Sequence, residues 1–197
     1  MMRFLLILFL VQALCADSKI LFIGDSLTEG YGLDPEKAYP AVVKELLLNE
    51  GYKSVTIING GVSGSTTSSG LSRLKWFQRS KPDIVVIALG ANDGLRGIPV
   101  QKTEANLKKM IQELVSWDTK VVLCGMKMPP NYGMEYRNQF AEIFPTLATE
   151  FEIDLVPFLL KGVGGVPDLN LSDGIHPNEK GYRVIAKTVY SVIYKLL

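Results

Sequence analysis

Lys19–Gly32 reads KILFIGDSLTEGYG, and the rest of the chain is interpreted around it. Ile20–Ile23 is a short apolar run of the kind that makes a strand buried on both faces. It stops at Gly24-Asp25-Ser26, and small, turn-forming residues continue through Gly30 and Gly32. A buried strand that ends in a tight turn bearing a serine is where an α/β protein can hold a nucleophile, because the strand fixes the backbone and the turn exposes Oγ at the sheet edge. A plain strand-to-loop turn is the alternative, with Asp25 and Ser26 satisfying local backbone donors.

Moving outward, Tyr39, Val42, Val43, Leu46 and Leu47 recur at helical spacing, with Pro35 and Pro40 at the start. Val55–Ile58 reads as a second buried strand, followed by the glycine-rich loop Asn59–Ser65. Leu71, Leu74 and Phe77 predict a short helix. Ile84–Leu89 predicts a buried strand ending in Gly90-Ala91-Asn92-Asp93-Gly94. Leu107, Met110, Ile111, Leu114 and Val115 share a helix face, and Lys120–Cys124 predicts a fourth strand. Phe140, Phe144, Leu147 and Phe151 mark another helix, which Pro145 should kink or weaken. Ile153–Val156 predicts a fifth strand. A long irregular stretch then leads to Asp173-Gly174-Ile175-His176-Pro177 and a last helix that buries Tyr182, Ile185, Ala186, Val189, Val192 and Ile193. The Trp, Met and Phe residues on helices are expected to be core filler. Strands alternating with helices at this spacing predict one α/β domain, a parallel sheet with helices on both faces.

The polar punctuation falls after the strands. Ser26 follows strand one, Gly64 strand two, Asn92 strand three, and Asp173 and His176 strand five. In a doubly wound sheet these loops emerge at one edge, where ligands bind. A serine hydroxyl needs a base to attack near neutral pH. The chain has a single histidine, His176, so the candidate base is forced. Asp173, three residues earlier across a glycine turn, can hold the imidazole tautomer that leaves Nε2 for Ser26. The backbone N–H groups of Ser26 and Gly64 and the side-chain amide of Asn92 are candidate oxyanion donors. Each signal has an ordinary reading too: Asp-x-x-His can be a helix cap, and Asn92-Asp93-Gly94 a turn.

The 197 residues carry a formal net charge of +1 with no clustering of Lys and Arg, which argues against a nucleic-acid partner. Arg3, the apolar run Phe4–Leu14 and the small residues around Ala16 predict a signal peptide over 1–16 and a single domain over 17–197, exported to the periplasm or secreted. The run is shorter than the ~20 residues of a membrane span. Leu14 before Cys15 favours simple secretion over lipidation, so no stable membrane anchor is expected once the leader is removed. Losing Arg3 takes the basic count from 21 to 20, equal to the 20 acids. It would also leave Cys124 as the sole cysteine, a buried thiol with no disulfide partner. The expected species is a monomer.

With these blocks in order, the sequence resembles the GDSL, or SGNH, hydrolases. Gly24-Asp25-Ser26-Leu27, Gly64 in Val62-Ser63-Gly64-Ser65, Gly90-Ala91-Asn92-Asp93 and Asp173-Gly174-Ile175-His176-Pro177 look like that family's four blocks. Asn92–Gly97 and Pro130-Asn131-Tyr132-Gly133 look particularly like its bacterial arylesterase, thioesterase I and lysophospholipase group. The resemblance implies a flavodoxin-like three-layer sandwich with a five-stranded parallel sheet. It also implies a Ser26–His176–Asp173 triad, oxyanion donors at Ser26, Gly64 and Asn92, and a mechanism with no metal and no cofactor. The substrate class it implies is a small acyl ester or thioester. The resemblance departs at Ser65, where close members of that group carry Asp, which implies a difference in loop rigidity or pH behaviour.

Two other readings differ in substrate or class. Carbohydrate O-acetyl esters would suit the same chemistry. A non-catalytic phosphate or nucleotide module would suit the fold, but the chain lacks GxxxxGK[ST] and GxGxxG, and Asp25 and Glu29 would repel phosphate. The absence of Gly-x-Ser-x-Gly argues against the α/β-hydrolase layout. The loops after strands four and five are unusually apolar. The first holds Met126, Met128, Pro129, Pro130, Tyr132 and Met134. The second runs from Phe158 to Leu171. Part of this apolarity is expected to line an acyl groove.

Overall fold

The computed structural model describes residues 18–197. The leader predicted over 1–16 lies outside the described residues. Strand β1, Ser18–Gly24, is buried from Ile20 onward. The short helix α1 spans Ser26–Glu29 and α2 spans Tyr39–Asn49. Then come β2 (Val55–Gly61), α3 (Gly70–Phe77), β3 (Ile84–Ala88), α4 (Ala91–Leu95), α5 (Val100–Ser116) and β4 (Lys120–Cys124). Helix α6 (Met134–Glu150), β5 (Asp154–Val156) and α7 (Glu179–Ile193) complete the fold.

The sheet has five parallel strands in the order β2-β1-β3-β4-β5, the flavodoxin-like order expected. Helices α2 and α7 pack together on one face, and α3, α5 and α6 pack side by side on the other. The continuous apolar runs of β1 and β3 are explained by this position, since both strands lie inside the sheet and are covered on both faces. The topological reversal falls between β1 and β3, so the loops carrying Ser26 and Asn92 flank the crevice that such a reversal opens.

Several expectations need correction. Strand β2 is an edge strand, with Thr56 exposed and Ile57 and Ile58 half-buried, and it runs three residues further than its apolar core to Gly61. Helix α6 carries Pro145 inside it, as its sequence indicates. The turns on either side bury Phe140, Ile143, Phe144 and Leu147. Val115 is 53% exposed, since it lies one residue beyond the buried Leu114 and has rotated off the core face. Val192 is only half-buried for the same reason beside Ile193. Trp76 and Met134, each 75% exposed, are surface residues and not core filler. Cys124 is buried, as expected, and burial pushes its thiol up to about 12.

Candidate active site

Ser26 begins α1. Asp25 caps that helix, its Oδ1 accepting from the Leu27 N–H at 3.0 Å, so the turn reading of Asp25 is correct as well. Gly30 ends the helix at φ 94°, a left-handed conformation that suits glycine. The hydroxyl of Tyr182 donates to the Ser26 carbonyl at 3.4 Å, tying α7 to this turn.

The loop between β5 and α7 carries the other two groups. His176 Nε2 lies 3.0 Å from Ser26 Oγ, and His176 Nδ1 lies 2.7 Å from Asp173 Oδ2. The other oxygen of Asp173 accepts the N–H groups of Ile175 at 2.8 Å and His176 at 2.9 Å. The backbone donor of His176, its side chain and the Ile175 N–H hold the Asp173 carboxyl down at about 2. An ionised carboxylate only accepts, so Nδ1 carries the proton, and Nε2 is left to accept from the Ser26 hydroxyl. The Tyr31 ring packs at a tilt against His176, with centroids 4.4 Å apart. The loop itself is pinned by Leu171 N–H donating to His176 O at 2.7 Å and by a bridge between Asn170 and Pro177. Buried Asn170 donates to the carbonyls of Val163 and Val166, and Asn178 caps α7 by accepting from Gly181 N–H at 3.1 Å. Neither asparagine was singled out from the sequence, although Asn178 before a helical pattern fits an ordinary capping signal.

Gly64 and Asn92 reach the same edge. Gly64 adopts φ 74°, and Asn92 Nδ2 donates to Ser65 O at 3.1 Å and more distantly to Asp25 Oδ2 at 3.4 Å. The N–H groups of Ser26 and Gly64 have no protein acceptor among the described residues. The sequence named Asp25 and Asp93 only as turn or motif residues and did not reveal that both are buried. Asp25 is buried beneath Ser26, and burial raises its carboxyl to about 6 despite the Leu27 N–H, nearby His176 and Asn92. Asp93, also buried, accepts from Thr67 N–H at 2.8 Å and Thr67 Oγ1 at 2.5 Å, joining the loop after β2 to α4.

Beside Ser26 and His176 runs an open groove of about 620 Å³. Met126, Met128, Pro129, Pro130, Phe158 and Leu160 line it, with Leu95 and Ile175 at its margins. The apolar loops are thus split by role. Leu159 and Val163 are buried beneath the groove, while Val166, Pro167 and Leu171 line a smaller hollow of about 290 Å³ beyond Gly174. Tyr132 instead donates its hydroxyl to Leu95 O at 2.9 Å and holds α4 in place.

This fold and edge arrangement put the chain among the α/β enzymes that hydrolyse esters. Residues 22–184 match the GDSL-like lipase/acylhydrolase family, and the chain belongs to that family. It is 41% identical over 183 residues to an arylesterase of Vibrio mimicus, covering 92% of this chain and 91% of that protein. It is 38% identical to the thioesterase 1/protease 1/lysophospholipase L1 of Escherichia coli K12, covering 92% of this chain and 85% of that one. The crystal structure of TesA superposes with a TM-score of 0.87 at 37% identity, covering 91% of this chain and all of the other.

Proposed function

We propose that the protein hydrolyses acyl esters and thioesters through an acyl-enzyme on Ser26, with His176 as general base and acid and Asp173 as its orienting carboxylate. The observation that carries this reading is the unbroken line from Ser26 Oγ to His176 Nε2 at 3.0 Å and from His176 Nδ1 to Asp173 at 2.7 Å. Nε2 takes the Ser26 proton as Oγ attacks the acyl carbon. The tetrahedral oxyanion then sits on the N–H groups of Ser26 and Gly64 and on the Asn92 amide, whose long contact to Asp25 is the one exchanged for substrate. Collapse expels the alcohol or thiol, which receives its proton from Nε2. Water repeats the cycle and releases the acid.

The apolar groove supports acyl chains longer than acetyl, and with them aryl esters, acyl thioesters and lysophospholipids over carbohydrate acetates. Labelling by a fluorophosphonate tests the nucleophile. The intact protein should take up one equivalent on Ser26, and Ser26→Ala none. Labelling of the variant would defeat the assignment. The sequence of the first sixteen residues supports export to the periplasm or medium. Among the described residues no helix is long and apolar enough to cross a membrane.

A further inference from the structure

The turn Val62–Ser65 is held at most of its polar groups. Val62 N–H donates to Gly24 O at 3.2 Å, and Ser65 N–H closes the turn on Val62 O at 3.1 Å. Glu29 accepts the Ser63 N–H at 2.8 Å and the Ser63 hydroxyl as well. The next two carbonyls are both taken by α4 and its cap. Asn92 Nδ2 donates to Ser65 O at 3.1 Å, and Arg96 Nη2 donates to Gly64 O at 2.9 Å. Asn92 and Arg96 are four residues apart, so they leave the same face of that helical turn. The Gly64 N–H is left over, with no acceptor among the described residues.

Arg96 is exposed, yet it forms no ion pair with a carboxylate among the described residues. Its backbone is well anchored. Arg96 N–H donates to Asn92 O at 3.2 Å, and Ile98 N–H donates to Asp93 O at 3.0 Å. The hydroxyls of Tyr132 and Tyr136 donate to the carbonyls of Leu95 and Ile98. This hydrogen-bonded segment presents a guanidinium to one backbone oxygen, that of a left-handed glycine with little intrinsic preference for its conformation.

We propose that Arg96 is a positioning residue for the oxyanion site. Its guanidinium clamps the Gly64 carbonyl, keeps that glycine in the conformation that leaves its N–H for the substrate, and sets a positive charge one residue's span from the developing oxyanion. This rests on Ser26, Gly64 and Asn92 being the oxyanion donors. An interaction of this kind acts on the tetrahedral state far more than on the bound ester, so its loss is read in kcat and not in KM.

The experiment compares Arg96→Met, Arg96→Lys and Asn92→Ala on a p-nitrophenyl ester over the working pH range. An alkyl boronic acid serves as the probe for the tetrahedral adduct. Arg96→Met should lower kcat about tenfold with KM unchanged within about twofold, and boronate affinity should fall by a similar factor. The shape of the pH profile should stay as in the parent. Arg96→Lys, which keeps the charge and folds even if the methionine variant does not, should recover part of the loss. Full kcat in Asn92→Ala would overturn the oxyanion reading and this inference with it. A slow Asn92→Ala beside an Arg96→Met at parental kcat, or one impaired through KM alone, would overturn the role of Arg96 and leave the oxyanion reading standing.

Discussion

Two acids near Ser26 show how environment assigns different work to one residue type. Asp173 is exposed and surrounded by donors, so it stays ionised and orients His176. Asp25 is buried, and burial favours its neutral form, with the carboxyl raised from 3.8 to about 6. For Asp25 the folded value exceeds the unfolded one, so its contribution to stability is present in full below 3.8 and lost as pH rises through about 6. Asp25→Asn preserves a capping oxygen for Leu27 N–H and removes this titration. The variant should gain Tm relative to the parent at about pH 8 compared with about pH 4, by on the order of 1–3 kcal/mol of differential stability. A Tm difference that does not change with pH would show that Asp25 is not the titrating group. At the proposed nucleophile, Ser26→Ala should abolish turnover of a p-nitrophenyl ester with little change in Tm. Asn92→Ala should keep a measurable kcat reduced about 10²–10³-fold, the usual cost of one oxyanion donor.

At the level of elements, the groove is assembled from the loop between β4 and α6 and the loop between β5 and α7, brought alongside by the neighbouring positions of β4 and β5. Met128 also packs against Gly94, where an added Cβ would come within 2.3 Å of its sulfur, so the groove wall and α4 are one packed unit. Burying a methylene there contributes about 0.8 kcal/mol, roughly a fourfold rise in kcat/KM per carbon while the groove lasts. Esters of p-nitrophenol should therefore improve from acetyl to a chain of about six to ten carbons and then level off. Leu160→Trp, placed in the groove wall, should shorten that optimum and leave acetyl turnover near the parental rate. Acetyl as the preferred chain in the parent would favour the carbohydrate acetylesterase reading instead.

For the whole molecule, the interior and the leader can be tested with one reagent. Cys124 is buried in β4 with its thiol pushed up to about 12, so it should not react with a disulfide reagent in the folded protein. The exported, processed protein should show no reactive thiol when native and a single thiol in denaturant. A second thiol in denaturant would mean that Cys15, and with it the leader, is retained. N-terminal sequencing should place the first residue at about Ala16 or Asp17.

The sequence alone determined the alternation of strands and helices, the burial of β1, β3 and β4, and the residues at the sheet's carboxyl edge. Those features are written locally, in apolar periodicity and in the glycine and serine residues that end each strand. A single histidine also left no choice of candidate base. The edge position of β2 and the exposure of Trp76 were settled by how the elements pack. The tertiary structure alone decided that Asp25 is buried, that Asp93 ties the Thr67 turn to α4, and that Arg96 reaches the Gly64 carbonyl. Each depends on contacts between loops 26 or more residues apart or on desolvation by the assembled core. A residue's type and its near neighbours carry no record of either.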